Sequence, residues 1–249
     1  MSDLLWVKMP SAWIANDTLA TKFASSNKLS TDIASLKIFV CLCLFSRTIQ
    51  RKRFAPFLNS EVVEDKIESV MTYDQISNSA CLSRLLVSRG LKKLKECGII
   101  KDQGTKRKVV YEIIGNPRRG WCKLPRKDLL KTDDQISGFG SFINRYEHER
   151  DALKLFLFLL SVRSNNDRYT DVSRGVISER TGIELHKIDN ALGYMQSIGF
   201  LEKVESKGYL RRFNENLPRE PQKLHRYYVT GCRTLNLRAV PQESFDSES

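Results

Sequence analysis

Basic and hydroxyl side chains are the residues of this chain whose spacing best fits a chemical task. One ten-residue stretch contains Ser83, Arg84, Ser88, Arg89 and Lys92. Residues three and four apart share one face of a helix, so a helix here would present these side chains together. An arginine guanidinium donates two parallel hydrogen bonds, which suits a guanine edge or a phosphate. The pattern predicts a polyanion-binding face, with a plain solvated basic face as the alternative.

Two further segments concentrate positive charge. Residues 101–126 contain eight basic and two acidic side chains, and residues 203–226 contain seven and three. Together they carry most of the formal net charge of +12. Because basic patches neutralise phosphates, we expect these segments to contact a polyanionic backbone. The candidate side chains are Lys106, Arg107 and Lys108 in the first segment, and Lys207, Arg211, Arg212, Arg219 and Lys223 in the second.

A third group of polar residues is mixed in charge. His186 and Lys187 suit phosphate contacts, and Asn190 suits the two-bond pairing with adenine. Glu184 and Asp189 lie among them and would repel phosphates. Two alternatives remain open, in which this segment binds another protein or is simply solvated.

Other chemistry is poorly represented. The six cysteines form no C-x-x-C pair and the three histidines are widely spaced, so we expect neither a metal site nor a disulfide framework. No phosphate-binding glycine loop, dinucleotide fingerprint or nucleophile elbow occurs, so we expect no enzymatic activity and no cofactor. The apolar runs at 38–45 and 155–160 are far shorter than the ~20 residues of a membrane span. With no signal-peptide pattern, this predicts a cytoplasmic protein without a membrane partner.

An internal repeat organises these residues. The segment WVKMP at 6–10 returns as WCKLP at 121–125, and residues 76–100 align without gaps with 177–201. The number of residues that separates matched positions of the two copies changes along the chain. These changes predict extra loop residues between 47 and 68 in the first copy, and between 203 and 226 in the second.

The repeat divides the chain into two domains of one fold. We place the first domain at 1–117 and the second at 118–240. A Ser-rich acidic tail at 241–249 is expected to be disordered. Trp6 and Trp121 occupy equivalent positions and are expected to anchor the core.

In the first copy the pattern predicts a helix-turn-helix followed by a β-hairpin. Apolar residues between 33 and 45 indicate a buried helix. Thr72 caps a short helix that runs to about Asn78, and Ser83 caps a third helix that Gly98 ends. Strands at 99–100 and 109–114 enclose a basic turn, which completes a winged helix. The basic residues of the third helix are all expected to project outward: Arg84, Arg89, Lys92, Lys93 and Lys95.

The second copy repeats this order. We expect a buried helix around 153–160, a short helix at 172–180 and a third helix at 185–198. Hairpin strands follow at 200–204 and 226–229. The expected outward positions of the third helix are Glu184, His186, Lys187, Asp189, Asn190 and Tyr194. The predicted fold class is therefore α+β, built of two tandem winged-helix domains.

The segment 71–100, MTYDQIS…LS…LKKLKECGII, resembles the helix-turn-helix of bacterial winged-helix DNA-binding proteins. Two copies, each opened by a Lys-x-Pro strand, are similar to plasmid and phage replication initiators with tandem winged helices. The resemblance implies binding of double-stranded DNA at repeated origin sites, in a nucleoid- or plasmid-associated protein. It also implies contact with host replication proteins, by a monomer or a homodimer. The long basic second hairpin departs from the initiator pattern.

Two other functions remain open on the sequence alone. A transcriptional regulator that binds an operator would use the same DNA chemistry. The two predicted winged-helix domains account for both halves of the sequence, however, so no segment is predicted to form an effector domain. An adaptor that binds replication proteins would instead bind DNA weakly.

Overall fold

The computed structural model describes residues 4–24, 28–55, 60–104, 109–210 and 222–232, and it has an α+β fold with small antiparallel sheets. The first half contains β1 (Val7–Pro10), α1 (Ala12–Ala15), α2 (Thr18–Lys22), α3 (Leu29–Leu44), β2 (Ser46–Ala55), β3 (Ser60–Val70), α4 (Tyr73–Ala80), α5 (Arg84–Glu96), β4 (Ile100–Asp102) and β5 (Val110–Ile113).

The second half begins with β6 (Trp121–Leu124) and repeats much of this order. It continues with α6 (Arg126–Leu129), a 3-10 turn (Phe139–Ser141), α7 (Glu147–Val162), β7 (Thr170–Ser173), α8 (Arg174–Thr181), a second 3-10 turn (Leu185–Lys187), α9 (Ile188–Ser197), β8 (Leu201–Leu210) and β9 (Gln222–Val229).

Three antiparallel sheets join these elements. One sheet has the strand order β2-β3-β5-β4 and another has β7-β9-β8. In both sheets the strand that returns after the helix pair lies between the strand before the pair and the strand directly after it. The third sheet consists of β1 and β6 alone, so it ties the two halves together.

Helices α3 and α7 form the centre of the core. Every residue of α3 from Asp32 to Leu44 is buried, because this helix is apolar nearly all round and packs against α4, α5 and α7. Helix α7 is likewise buried from Glu149 to Leu160. Burial of both helices holds α5 and α9 at fixed positions, since α5 packs on α3 and α9 packs on α7.

The β1–β6 pair joins two similar segments in antiparallel register. Lys8 lies opposite Lys123 in the register. The rings of Trp6 and Trp121 stack at 5.9 Å between centroids and 7° between planes. Each lysine also covers the tryptophan of the other strand, at 5.0 Å from the ring centroid. Both tryptophans are half-buried, and Trp6 packs on the edge of the core.

Both insertions and several boundaries differ from the sequence-based expectation. In the second copy the hairpin strands expected at 200–204 and 226–229 are longer, because β8 continues to Leu210 and β9 begins at Gln222. The stretch between 47 and 68 is not a loop, because β2 and β3 form a hairpin that extends the first sheet. Helix α4 runs to Ala80 rather than Asn78. The helix expected at 172–180 begins at Arg174, since Val172 pairs with His225 as part of β7. The helix expected at 185–198 is a 3-10 turn followed by α9.

Candidate nucleic-acid interface

The turn between α4 and α5 is fixed by two caps. Thr72 Oγ1 accepts from the Gln75 N–H at 3.2 Å, and Gln75 Oε1 accepts in return from the Thr72 N–H at 2.8 Å. Ser83 Oγ accepts from the Leu86 N–H at 3.4 Å and so begins α5. Between them Cys81 takes a left-handed conformation, with φ of 50°. Both predicted caps are present, and they set where the first turn of α5 lies.

Close packing on α3 decides which side of α5 faces outward. Val87, Leu91 and Leu94 are buried on the inner side. Gly90 lies so near α3 that a Cβ atom there would come within 2.6 Å of Ile38 Cδ1. The opposite side of α5 is therefore the exposed one.

The outward face carries the residues predicted to bind a polyanion. Arg84 donates from Nε and Nη2 to both oxygens of Asp74, at 2.7 and 2.6 Å. Lys92 lies 3.9 Å from Glu96. Arg89 has no acidic side chain within ion-pair distance in the part of the chain that the structure describes. All five predicted residues are exposed together on this face: Ser83, Arg84, Ser88, Arg89 and Lys92.

Lys93 corrects the expectation that every basic residue of α5 projects outward. Its ammonium forms an ion pair with Asp32 of α3, which is fully buried, and lies 4.8 Å from the centroid of the Phe23 ring. Burial raises the pKa of Asp32, while the Lys93 ammonium opposes that rise. Lys93 therefore joins α5 to α3 and is unavailable to a ligand.

The hairpin that follows α5 begins with exposed Lys101. At its base Lys95 Nζ and Asp102 Oδ2 form an ion pair of 2.8 Å, which lowers the pKa of Asp102. The predicted contact residues Lys106, Arg107 and Lys108 lie outside the described residues.

The second half presents a less basic helix face. His186 and Asn190 are exposed. Lys187 is held between two acids, Glu184 at 2.9 Å and Glu147 at 3.1 Å, and Glu184 also lies 3.6 Å from His186. Unlike His186 and Lys187, Asn190 is not held by an acidic side chain among the residues that the structure describes. It is the residue of this face that the sequence predicted to read a base.

Two other expected outward residues of this helix are engaged elsewhere. Asp189 accepts from both terminal nitrogens of Arg174, at 2.5 and 2.7 Å. The Tyr194 ring packs edge-on against Phe142 at 5.3 Å and lies 4.8 Å from His148. Tyr194 therefore belongs to the packing of α9 on α7, contrary to the outward position expected of it.

The second hairpin is anchored by ion pairs near its base. Glu205 binds Lys203 at 2.5 Å and lies 3.4 Å from Lys207. Hydrogen bonds from Lys203 and then from Tyr228 lower the pKa of Glu205 to about 2. Lys223 is exposed on β9. The remaining predicted residues of this hairpin, Arg211, Arg212 and Arg219, lie outside the described residues.

The sequence analysis missed the β2–β3 hairpin as an element. Its register places basic residues opposite acidic ones, with Arg47 opposite Glu68 and Arg51 opposite Glu64. Opposite charges directly across a strand pair are favourable. The sequence signal for this hairpin is therefore the placing of basic and acidic residues at equal distances on either side of one turn.

The described residues also bear on two other kinds of feature, a metal site and a membrane span. Among the described residues, His, Cys, Asp and Glu side chains nowhere gather in groups of three or more that could hold a metal ion. None of the helices described is both long and apolar enough to cross a membrane. Comparison with protein-family models, with curated proteins and with solved structures finds no match to this chain.

Proposed function

We propose that this protein binds double-stranded DNA through two winged-helix domains and acts as a replication initiator at repeated origin sites. One observation carries the proposal. The outward face of α5 presents Ser83, Arg84, Ser88 and Arg89 at its N-terminal half, directly after a capped helix-turn. This is the part of a recognition helix that meets base edges in the major groove.

Matching local features support two copies of one fold. Thr72 and Ser173 each cap the helix that precedes the proposed recognition helix. Gly98 and Gly199 both follow that helix with positive φ, at 69° and 79°. A Cβ atom on Gly115 would come within 2.5 Å of Pro10, and one on Gly231 within 2.7 Å of Pro125. Equivalent glycines therefore approach equivalent prolines in the two halves.

The proposal divides the work between helix and hairpin. Arg89 and Arg84 would each donate two bonds to a guanine in the major groove, and the exposed serines would complete the interaction with bases or phosphates. Releasing Arg84 to DNA requires exchange of its Asp74 partner for a base edge. The basic hairpins would bind the backbone and set affinity without regard to sequence.

Selection of bound duplexes from a random pool tests this function. The expected result is a recurring site, with a slope of log affinity against log salt that corresponds to ~0.9 for each phosphate neutralised. A recovered origin repeat should then support plasmid replication only in the presence of the protein. A site that acts as an operator but has no origin activity would make the protein a transcriptional regulator. A salt slope near zero would exclude DNA binding.

One observation favours a protein partner for the second half. The face around Lys187 is neutralised by Glu184 and Glu147. Nearby, large apolar side chains are exposed, at 57% for Leu185 and 51% for Tyr146. An adaptor that binds a replication protein through this face is the second candidate. Retention of such a protein by the wild-type chain and its loss on Tyr146→Asp, with DNA affinity unchanged, would support it.

A further inference from the structure

A cleft in the second half gathers cationic groups at the start of a helix. Its volume is about 350 Å³, and its lining residues come from the end of β7, α8, β9 and the 3-10 turn before α9: Ser173, Arg174, Gly175, Leu185, Lys223 and His225. This volume lies within the range of small-molecule sites.

His225 is the group in the cleft whose bonding is incomplete. The residue is only 8% exposed, and its Nδ1 atom is buried without a hydrogen-bond partner among the described residues. Burial lowers the pKa of His225, and the charges of Arg174 and Lys223 lower it further. A buried ring nitrogen without a partner costs free energy, which an acceptor placed in the cleft would offset.

The helix N-terminus adds donors of the same kind. Ser173 Oγ caps α8 by accepting from the Val176 N–H at 3.3 Å. The N–H groups of Arg174 and Gly175 precede the first helical bonds, so they have no carbonyl within the helix. Gly175 is exposed and carries no side chain that could cover these N–H groups. Such helix starts favour anions.

The charged groups that act on His225 come from three elements. Arg174 comes from α8, Lys223 from the strand of His225 itself, and Asp189 from α9. Asp189 is paired with Arg174 at 2.5 Å, so its charge is already compensated. Lys223 and a protonated His225 leave a net positive cleft, which fits a ligand with one or two negative charges.

We propose that this cleft binds a phosphate group, and that the phosphate is one of the DNA backbone. The assignment to DNA rests on the proposed function, whereas phosphate binding does not. The histidine ring and Lys223 would hold one phosphate beside the second recognition helix. This interaction would fix the register of the second domain on the duplex while leaving the bases to Asn190.

Nuclear magnetic resonance titration of the histidine rings of the full chain tests the site. Inorganic phosphate should raise the pKa of His225 by about 1 unit or more, because a nearby anion favours the imidazolium. The ring of His148 serves as an internal control and should respond much less. Phosphate binding should tighten as pH falls. An unchanged pKa of His225 in saturating phosphate would overturn the proposal.

Lys223→Gln supplies a variant that leaves the buried ring in place. It should weaken phosphate binding about fivefold, because it removes one charge-assisted hydrogen bond. It should also reduce the DNA salt slope by about 0.9. The charge-matched control is Lys131→Gln, an exposed lysine outside the cleft, which should change neither value. Equal effects from the two variants would contradict a specific site.

Saturating duplex DNA distinguishes the two sources of phosphate. If the cleft takes a backbone phosphate, DNA alone should raise the pKa of His225 and abolish its response to inorganic phosphate. A persistent response in the DNA complex would show that the cleft serves a free phosphate ester and would overturn the assignment to DNA. DNA binding with no effect of phosphate at His225 would leave the proposed function intact and remove the site.

Discussion

Arg84 is bound by both carboxylate oxygens of Asp74, across the turn that joins α4 to α5. Both side chains are about 70% exposed, so the pair is hydrated and contributes little to stability. Its effect is positional, because it holds a planar guanidinium at the start of the helix that we propose to read DNA.

Arg84→Ala should therefore lower specificity more than stability. We expect the preference for cognate over random duplex to fall by about tenfold, the value of one arginine–guanine pairing, with a change of less than about 1 kcal/mol in the free energy of unfolding. Arg89→Ala should act in the same way. Competition binding with the two duplexes measures the ratio, and a ratio equal to that of the wild type for both variants would exclude base recognition by α5.

Removal of charge between β4 and β5 should lower the affinity for DNA of any sequence and leave the specificity unchanged. Replacement of Lys106, Arg107 and Lys108 by glutamine should weaken binding to cognate and random duplexes alike. The salt slope should fall by about 0.9 for each phosphate that the hairpin no longer neutralises. Fluorescence anisotropy over a range of salt concentrations measures both quantities, and selective loss of cognate binding would refute this role.

Two buried lysines, Lys37 of α3 and Lys154 of α7, should respond oppositely to replacement by methionine. Lys37 Nζ donates to the Phe139 and Cys81 carbonyls, at 3.1 and 3.4 Å, whereas Lys154 Nζ is buried without a hydrogen-bond partner among the described residues. Lys154→Met should raise the free energy of unfolding at pH 7 by about 1–3 kcal/mol. Lys37→Met should lower it by a similar amount, since its acceptors lose their donor. Denaturant unfolding of the two variants measures both changes, and shifts of the same sign would contradict this distinction.

The pH dependence provides an independent check on Lys154. Burial lowers its pKa to about 8, below its value of about 10.4 in the unfolded chain. Between these values the unfolded state binds more protons, so stability should rise with pH from about 8 to 10. Denaturant unfolding at several pH values should show this rise in the wild type and a smaller one in Lys154→Met. An unchanged slope would contradict the lowered pKa.

Gly138 and Gly199 form a matched pair for testing close packing, because both have φ of 79°. A Cβ atom on Gly138 would lie 2.6 Å from the Ile198 carbonyl oxygen, whereas Gly199 has no such neighbour within 4 Å. Gly199→Ala should cost about 1–2 kcal/mol of stability from backbone conformation alone. Gly138→Ala should cost clearly more. Thermal unfolding compares them, and equal losses would show that the backbone shifts without strain.

Local signals in the sequence predicted much of the first helix pair. The caps at Thr72 and Ser83 and the stop at Gly98 depend on short-range hydrogen bonds and backbone conformation, which neighbouring residues determine. Helical periodicity also explains why Val87, Leu91 and Leu94 share the buried side of α5.

Long-range interactions account for what the sequence did not reveal. Lys93 turns inward because Asp32, 61 residues earlier, is buried beneath it. Val172 joins a strand because β9 supplies a partner from a distant segment. The β2–β3 hairpin is charged along its length, so it lacks the apolar alternation that usually identifies a strand.

The β1–β6 pair has a consequence for each half taken separately. Because Lys8 lies opposite Lys123, the pairing is centred on the same position of two similar segments. A fragment that ends near residue 117 would contain β1 without its partner β6, so β1 would be an open edge strand. The β1 strand of a second copy could take the place of β6 and pair in the same register about Lys8. The isolated half is thus expected to self-associate by exchanging this strand, and covalent linkage of the halves makes that association intramolecular.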